Sequence, residues 1–415
     1  MQSMLTGRPD GAGTGTGAAG VAPAAGKPRS DVRNQPHVRT PAPFSLRRLV
    51  RGIHLWIGLG LGGLFALLGL TGSALVFYVG IDAALHPAVR PPAIEAGPGP
   101  DSPAWDRALA TGRARHPDPA STWSIEVTGE GGPIPARYYP PSRHHDHHSE
   151  REMIWFSADG RHIVRAEPWG GYLMSWLYEL HMHLLAGEAG RLIVGWSGTV
   201  MLLLLLSGVA AWWPRGAWRK AIAFKRRAAP IRRLRDLHKL TGLGSALLLI
   251  ILVATGVLLA LPEVKAALIA ATPVPAPRSG SQTGRQIPIA DALAAAQRAL
   301  PDARLAFIDV PAADDAPFRL RMQVPGDPHR RFPGSFVFVD QYSGAVLAVH
   351  DLRSGTASVT ISAWIRGLHD GSAGGLFGRC LAILIGLTPT LLFATGLLHW
   401  RRRTRRAPRP IISFA

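Results

Sequence analysis

The chain has 415 residues, a formal net charge of +19 and a single cysteine, Cys380. One cysteine excludes a disulfide framework, cysteine-ligated iron–sulfur clusters and CxxC redox chemistry. Gly and Pro are abundant, but 47% of the residues are hydrophobic. That proportion excludes an intrinsically disordered protein.

Four stretches without Asp, Glu, Lys or Arg predict four membrane-spanning helices. They cover residues 52–81, 192–214, 240–262 and 380–400 and are 30, 23, 23 and 21 residues long. At about 1.5 Å per residue, each is long enough to cross a hydrocarbon core of about 30 Å. The chain is therefore expected to be an α-helical membrane protein with a four-helix bundle.

The positive charge is concentrated on one side of these spans. Basic against acidic residues number 8 against 2 in residues 1–51, 10 against 1 in 215–239 and 6 against 0 in 401–415. The long connections hold 10 against 14 in 82–191 and 12 against 10 in 263–379. The positive-inside rule predicts that both termini and the short loop are cytoplasmic, in a bacterial inner membrane. It also explains the net charge without a nucleic-acid partner.

The spans divide the chain into nine expected segments. The first, residues 1–44, has no apolar core and is expected to be a disordered cytoplasmic tail, not a cleavable signal peptide. The others are the first span (45–81), a periplasmic module (82–175), a juxtamembrane segment with the second span (176–214), a basic cytoplasmic loop (215–237), the third span (238–262), a second periplasmic module (263–360), a juxtamembrane segment with the fourth span (361–400) and a cytoplasmic tail (401–415).

Each periplasmic module reads as a small α+β unit. Helical periodicity predicts helices over residues 105–114 and 290–300. Alternating apolar residues predict β-hairpins over 153–166 and 335–349, with Gly160 and Gly344 at corresponding turn positions. The chain therefore consists of two copies of one design, span–module–span.

The two halves also share spacings, and these single out four histidines. His54 precedes a Thr-Gly pair at 71–72 by 17 residues, and His238 precedes a Thr-Gly pair at 255–256 by 17. His181 and His369 each lie 10 residues before an arginine and 26 before a Ser-Gly or Thr-Gly pair. Internal repeats of this kind mark positions with a shared role. Three other histidines have no counterpart in the opposite half: His86, His183 and His399.

The predicted topology sorts the repeated histidines into two sites. His54 and His238 begin spans at the cytoplasmic side, whereas His181 and His369 precede spans at the periplasmic side. Two neutral imidazoles on facing helices suit a b-type haem, because the macrocycle supplies the other four nitrogens. Zinc would require more protein ligands. Two haem b groups, each with two histidine ligands, are therefore expected.

Further residues are candidates for contact with the haems. Gly58 and Gly242 lie one turn after His54 and His238, where a missing side chain would admit a flat ring; close helix packing explains them equally well. Arg191 and Arg379 are candidates for the haem propionates, or mark the membrane edge. No NAD or flavin fingerprint is present, so the electrons are expected from quinol or a separate reductase.

These motifs resemble the PepSY-associated transmembrane family over residues 45–406. The resemblance rests on HxxxG…TG, on LHxxLLxGxxGR…SGxxxWWPR and on the two exterior modules. It implies two span–PepSY–span repeats, with haem ligands at the four repeated histidines. Family members include inner-membrane reductases of ferric siderophores. The resemblance thus implies reduction of a periplasmic Fe(III)-siderophore, which releases Fe(II) for iron uptake.

The tract His144-His145-Asp146-His147-His148 departs from the family pattern. A histidine-rich tract can bind metals that prefer nitrogen ligands, such as Cu²⁺, Ni²⁺ or Zn²⁺, or released Fe²⁺. A solvated loop is the simpler interpretation. Two alternatives to the reductase follow: a metal-handling accessory, copper included, that uses this tract, and a non-enzymatic, membrane-anchored protein whose PepSY modules bind or regulate a partner.

Overall fold

A computed structural model describes residues 45–405 apart from 93–95, 142–150, 215, 217, 271–273 and 281–283, together with Gly11, Gly13 and Gly15. The expected disordered tail, apart from those three glycines, and the histidine tract at 144–148 lie outside the described residues. Both stay predictions.

Helices occupy all four predicted spans. Helices α1 (Leu46–Gly60) and α2 (Gly62–Leu75) meet at a bend of 59° and together pass as one span. The other three stretches are α6 (Gly187–Trp212), α8 (Pro230–Ala260) and Ser372–Thr404, which contains α12 (Gly375–Gly386) and α13 (Thr388–Thr404). By length and composition the described residues thus contain three membrane-crossing helices, or four if the bent pair is one span.

The outer surfaces of these helices are apolar. Leu203, Leu247 and Leu384 are 59%, 70% and 63% exposed. Such side chains are stable against lipid and unfavourable in water. Inside the bundle, glycines bring helices close together: a Cβ at Gly62 would overlap the ring of Phe393. Small residues at helix contacts are typical of membrane bundles.

The strands of both modules form one eight-stranded antiparallel sheet. The first half contributes β1 (Thr122–Glu126), β2 (Ile134–Tyr139), β3 (Glu152–Phe156) and β4 (Ile163–Pro168). The second contributes β5 (Arg304–Val310), β6 (Phe318–Gln323), β7 (Ser335–Val339) and β8 (Val346–His350). The strand order is β4-β3-β2-β1-β5-β6-β7-β8, with Ile125 opposite Ile308 at the central seam. Pairing β1 with β5 covers an edge that each half alone would expose.

Two helices cover one face of this sheet and complete a shared core. They are α4 (Ala104–Arg115) and α10 (Ile289–Ala299), which confirm the two predicted module helices. Trp105 and Leu293 are each 2% exposed within the core. Both predicted hairpins are also present as β3–β4 and β7–β8. Gly160 and Gly344 adopt φ of 75° and 71° at their turns, a conformation that glycine adopts without strain.

Short helices connect the sheet to the spans. Helix α3 (Tyr78–Leu85) follows the first span, α7 (Trp218–Ile222) lies between α6 and α8, and α9 (Pro262–Ile269) follows α8. Helices α5 (Leu173–His183) and α11 (Ala357–His369) lead from the last strand of each half towards the next span. They carry two of the repeated histidines.

Candidate functional site

The four repeated histidines lie in two pairs. The ring centres of His54 and His238 are 6.3 Å apart, and those of His181 and His369 are 6.4 Å apart. We call the first the basic-side pair, because α1 and α8 begin beside the basic segments. The second is the sheet-side pair, at the ends of α5 and α11. His238 precedes Thr255 by 17 residues within α8, so about 25 Å of helix separates the levels of the two pairs.

In the basic-side pair, each ring is held by a different helix through its Nδ1 atom. His54 Nδ1 lies 3.1 Å from a carbonyl of α6 and 3.1 Å from Ser207 Oγ. His238 Nδ1 lies 3.0 Å from the carbonyl of Leu392 and 3.1 Å from Thr395 Oγ1. The two rings thus have equivalent surroundings in the two halves of the chain.

The sheet-side pair repeats this arrangement. His181 Nδ1 lies 3.0 Å from Thr71 Oγ1. His369 Nδ1 lies 2.9 Å from the carbonyl of Leu252 and 3.4 Å from Thr255 Oγ1. The Thr71 hydroxyl donates to a carbonyl of its own helix at 2.9 Å, so it accepts the proton of His181 Nδ1.

These hydrogen bonds select one tautomer of each imidazole. A carbonyl oxygen only accepts, so Nδ1 must carry the proton, and Nε2 then keeps its lone pair. A neutral imidazole with Nδ1–H donated to a fixed acceptor is the usual form of a metal-ligating histidine. All four side chains are thus prepared to bind metal through Nε2.

A glycine follows each of the four hydroxyl residues and lies against the histidine ring. A Cβ at Gly72, Gly208, Gly256 or Gly396 would lie 2.8, 2.9, 2.8 or 3.4 Å from the nearest Cε1 atom of that ring. Three of these distances are too short for a real side chain. Each Ser-Gly or Thr-Gly pair therefore holds the imidazole with its hydroxyl or the neighbouring carbonyl and makes room for it with the glycine. Sequence reasoning used these pairs as markers of the repeat and did not recognise this role.

The spacing within each pair fits two ligands on opposite sides of one metal ion. An imidazole nitrogen lies about 2 Å from a bound transition metal, which places the centres of two opposed rings about 6 Å apart. Among the described residues, no cluster of three or more His, Cys, Asp or Glu side chains could hold a metal ion. The donor set at each site is two imidazoles, which is the set that a haem with two axial histidines uses.

The glycines and arginines predicted near the haems have other contacts. A Cβ at Gly58 or Gly242 would lie 3.9 or 3.4 Å from a leucine of the facing helix, ordinary packing distances. Arg191 Nε donates to Glu188 Oε2 at 2.8 Å, and Arg191 also donates to the carbonyl of Ala260. Arg379 lies over the ring of Phe77 at 5.7 Å. Their contacts with haem stay predictions.

Two of the unrepeated histidines have carboxylate partners. His86 Nδ1 lies 3.1 Å from Asp82 Oδ1, and His183 Nδ1 lies 2.7 Å from Glu179 Oε2. Each pair is four residues apart on one helix. Their surroundings therefore differ from those of the four repeated histidines, which face hydroxyls and carbonyls of other helices.

Apolar helices of membrane-spanning length, with an eight-stranded sheet at one end, define a membrane protein. The chain belongs to the family described as the PepSY-associated TM region, whose family model matches residues 51–403. This match confirms the resemblance seen in the sequence. No curated protein matches the chain.

Proposed function

We propose that the protein carries electrons across a bacterial inner membrane through two b-type haems, one at each histidine pair. The observation that supports this most directly is the equivalence of the two pairs. Four histidines from two halves of the chain have the same Nδ1 partners, the same adjacent glycine and ring-centre separations within 0.1 Å of each other.

A haem with two axial imidazoles exchanges single electrons and leaves no open coordination position. The protein's own residues supply the ligand atoms and their orientation. The Ser-Gly and Thr-Gly pairs hold Nδ1–H, so that Nε2 of each histidine faces its site as a neutral ligand. The apolar helices exclude water from both sites, and the length of α8 carries the pathway from one side of the bundle to the other.

The basic-side pair takes the electron, from quinol or a separate reductase, and the sheet-side pair delivers it to a periplasmic acceptor. We propose an Fe(III)-siderophore as that acceptor, which each electron reduces to the Fe(II) complex so that the iron is released for uptake. Support for this acceptor comes from the resemblance to the reductase members of the family, and from the position of one histidine pair beside the sheet.

The first test is a dithionite-reduced minus air-oxidised spectrum of the purified full-length protein, with haem and protein quantified. Sharp b-type bands with about two haems per chain are expected, one for each histidine pair. A featureless spectrum after expression with ample haem would contradict the proposal. It would favour a membrane-anchored binding or regulatory protein instead.

A second measurement tests the direction and the acceptor. The protein is reduced anaerobically, freed from excess reductant and mixed with a ferric siderophore and an Fe(II)-specific chelator. The b-type bands should reoxidise while one Fe(II) appears for each electron lost. Deletion of residues 144–148 is the matched control, because it should leave this reaction unchanged unless the histidine tract handles the metal.

A further inference from the structure

An arginine-rich aromatic cluster occupies the face of the sheet opposite the shared core. Strand alternation places Arg137 and Phe307 on this face, since their neighbours Ala136 and Ile308 belong to the core. The ring of Phe307 stacks on that of Phe332 with centres 5.5 Å apart and planes within 9°. We call the cluster formed by these two rings and the four arginines around them the Arg–Phe cluster.

Four guanidinium groups surround the two stacked rings. Arg137 lies 4.6 Å and Arg321 5.9 Å from the centre of Phe307. Arg331 lies 5.4 Å and Arg366 4.9 Å from the centre of Phe332. These distances are within the range of cation–π attraction, about 6 Å. Four positive charges therefore converge on one patch.

Their compensation by acidic groups is incomplete. Glu126 lies 2.5 Å from Arg331 and 3.7 Å from Arg137. Among the residues that the structure describes, no carboxylate lies within ion-pair distance of Arg321 or Arg366. Burial lowers the pKa of Arg321 to about 10, with Asp309 opposing the shift, so this guanidinium is still charged at neutral pH. Like charges held this closely favour a bound anion.

The cluster is next to the sheet-side histidine pair. Arg366 lies on α11 three residues before His369, which is one helical turn. Arg331 donates to the hydroxyl of Tyr78, at the end of the first membrane-spanning segment. A molecule seated against Arg366 would therefore lie between the sheet and the bundle, close to the end of the proposed electron pathway.

We infer that the Arg–Phe cluster is the acceptor site and selects anionic ferric complexes with aromatic ligands, of the catecholate type. Guanidinium groups pair with the negative oxygens, and the flat guanidinium and phenyl faces stack on the catecholate rings. The inference rests on the proposed reduction of a ferric complex and names the chemical class of that complex.

Binding is tested without redox chemistry, using gallium(III) as a redox-inert substitute for iron(III). The full-length protein in detergent is titrated by calorimetry with a trianionic gallium tris-catecholate and with a neutral gallium trihydroxamate. The catecholate complex should bind, and its affinity should fall as salt is raised. Equal affinity for the neutral and the trianionic complex would overturn the inference.

Substitutions locate the site. Arg321→Gln and Arg366→Gln should each weaken binding of the catecholate complex about tenfold, as expected for a lost charged hydrogen bond. Arg353→Gln is the matched control, because Arg353 pairs with Asp302 and Asp351 outside the cluster and its loss should leave binding unchanged. Unchanged affinity in the Arg321→Gln, Arg366→Gln double variant would contradict the inference.

Haem quantification in the same samples separates this inference from the proposed function. Protein without haem that binds the catecholate complex through Arg321 and Arg366 would support the inference and remove the electron pathway. Protein with two haems that does not bind the complex would overturn the inference alone. Loss of haem from Arg366→Gln with unchanged binding would assign this arginine to the haem carboxylates and overturn its role as an acceptor site.

Discussion

The basic-side and sheet-side histidine pairs differ in the helices that carry them. His54 and His238 lie within α1 and α8, which continue into the membrane. His181 lies in the last turn of α5 and His369 is the last residue of α11. Both of those helices are short and come from the sheet. The ligands of one pair thus belong to the spans, and those of the other belong to the connection between sheet and membrane.

The chain breaks sharply after each sheet-side histidine. Leu184 and Leu185 have φ of 49° and 58° after α5, and Gly371 and Gly375 have φ of 75° and 59° after α11. These breaks separate the sheet-side histidines from the spans that follow them. The position of the sheet therefore influences the separation of His181 and His369, whereas bundle packing alone fixes the basic-side pair.

Removing a histidine should produce the largest effect, and it should be confined to one pair. We expect His181→Ala or His369→Ala to reduce the haem content from about two per chain to about one, since a single imidazole holds haem poorly. His54→Ala or His238→Ala should remove the other haem. Pyridine haemochrome analysis of each purified variant measures the ratio.

The unrepeated histidines provide matched controls for this experiment. His183→Ala lies two residues from His181 on the same helix, and His399→Ala lies on α13 near the other pair. Both variants should keep both haems. Retention of both haems in His181→Ala and His369→Ala would refute the ligand assignment, and loss of haem from His183→Ala would transfer the role to that residue.

The glycines beside the rings should rank next, with a difference that the distances predict. A Cβ at Gly72 would lie 2.8 Å from His181 Cε1, whereas a Cβ at Gly396 would lie 3.4 Å from His238 Cε1. Overpacking of this kind costs about 1–3 kcal/mol. Gly72→Ala should therefore lower sheet-side haem occupancy, and Gly396→Ala should leave basic-side occupancy nearly intact. Equal losses would show that ring clearance does not distinguish the sites.

The local elements could be predicted from the sequence because each carries its own pattern. Uncharged runs marked the spans, and periodicity marked α4, α10 and the two hairpins. The repeat marked four histidines, and pairing by topology matched the pairs in the structure. Residues 52–81 differ from the prediction in one respect, because this single apolar run is divided into α1 and α2 by a 59° bend.

Long-range pairing lay beyond these patterns. The seam between β1 and β5 joins Ile125 to Ile308 across most of the chain, and nothing in either strand identifies its partner. The Arg–Phe cluster was equally hidden, since Arg137, Arg331 and Arg366 come from a strand, a loop and a helix. The Ser-Gly and Thr-Gly pairs were visible as repeats, but their contact with the rings of other helices required the fold.

The smallest expected effect concerns the hydroxyl groups and separates the two ligands of the sheet-side pair. His181 Nδ1 lies 3.0 Å from Thr71 Oγ1, but His369 Nδ1 lies 3.4 Å from Thr255 Oγ1 and only 2.9 Å from the carbonyl of Leu252. Thr71→Val should therefore weaken haem binding about tenfold, the lower end of the usual cost of losing such a partner. Thr255→Val should have little effect, because the carbonyl still fixes the His369 tautomer.

Haem transfer to apomyoglobin measures this difference directly, and the unaffected basic-side haem serves as an internal reference in each variant. Faster release from Thr71→Val than from Thr255→Val would show that the hydroxyl orients His181, while the backbone orients His369. Equal release rates would mean that backbone carbonyls hold both rings. The threonines would then act by shaping the helix beside the adjacent glycine, and the two sheet-side ligands would be as alike as those of the basic-side pair.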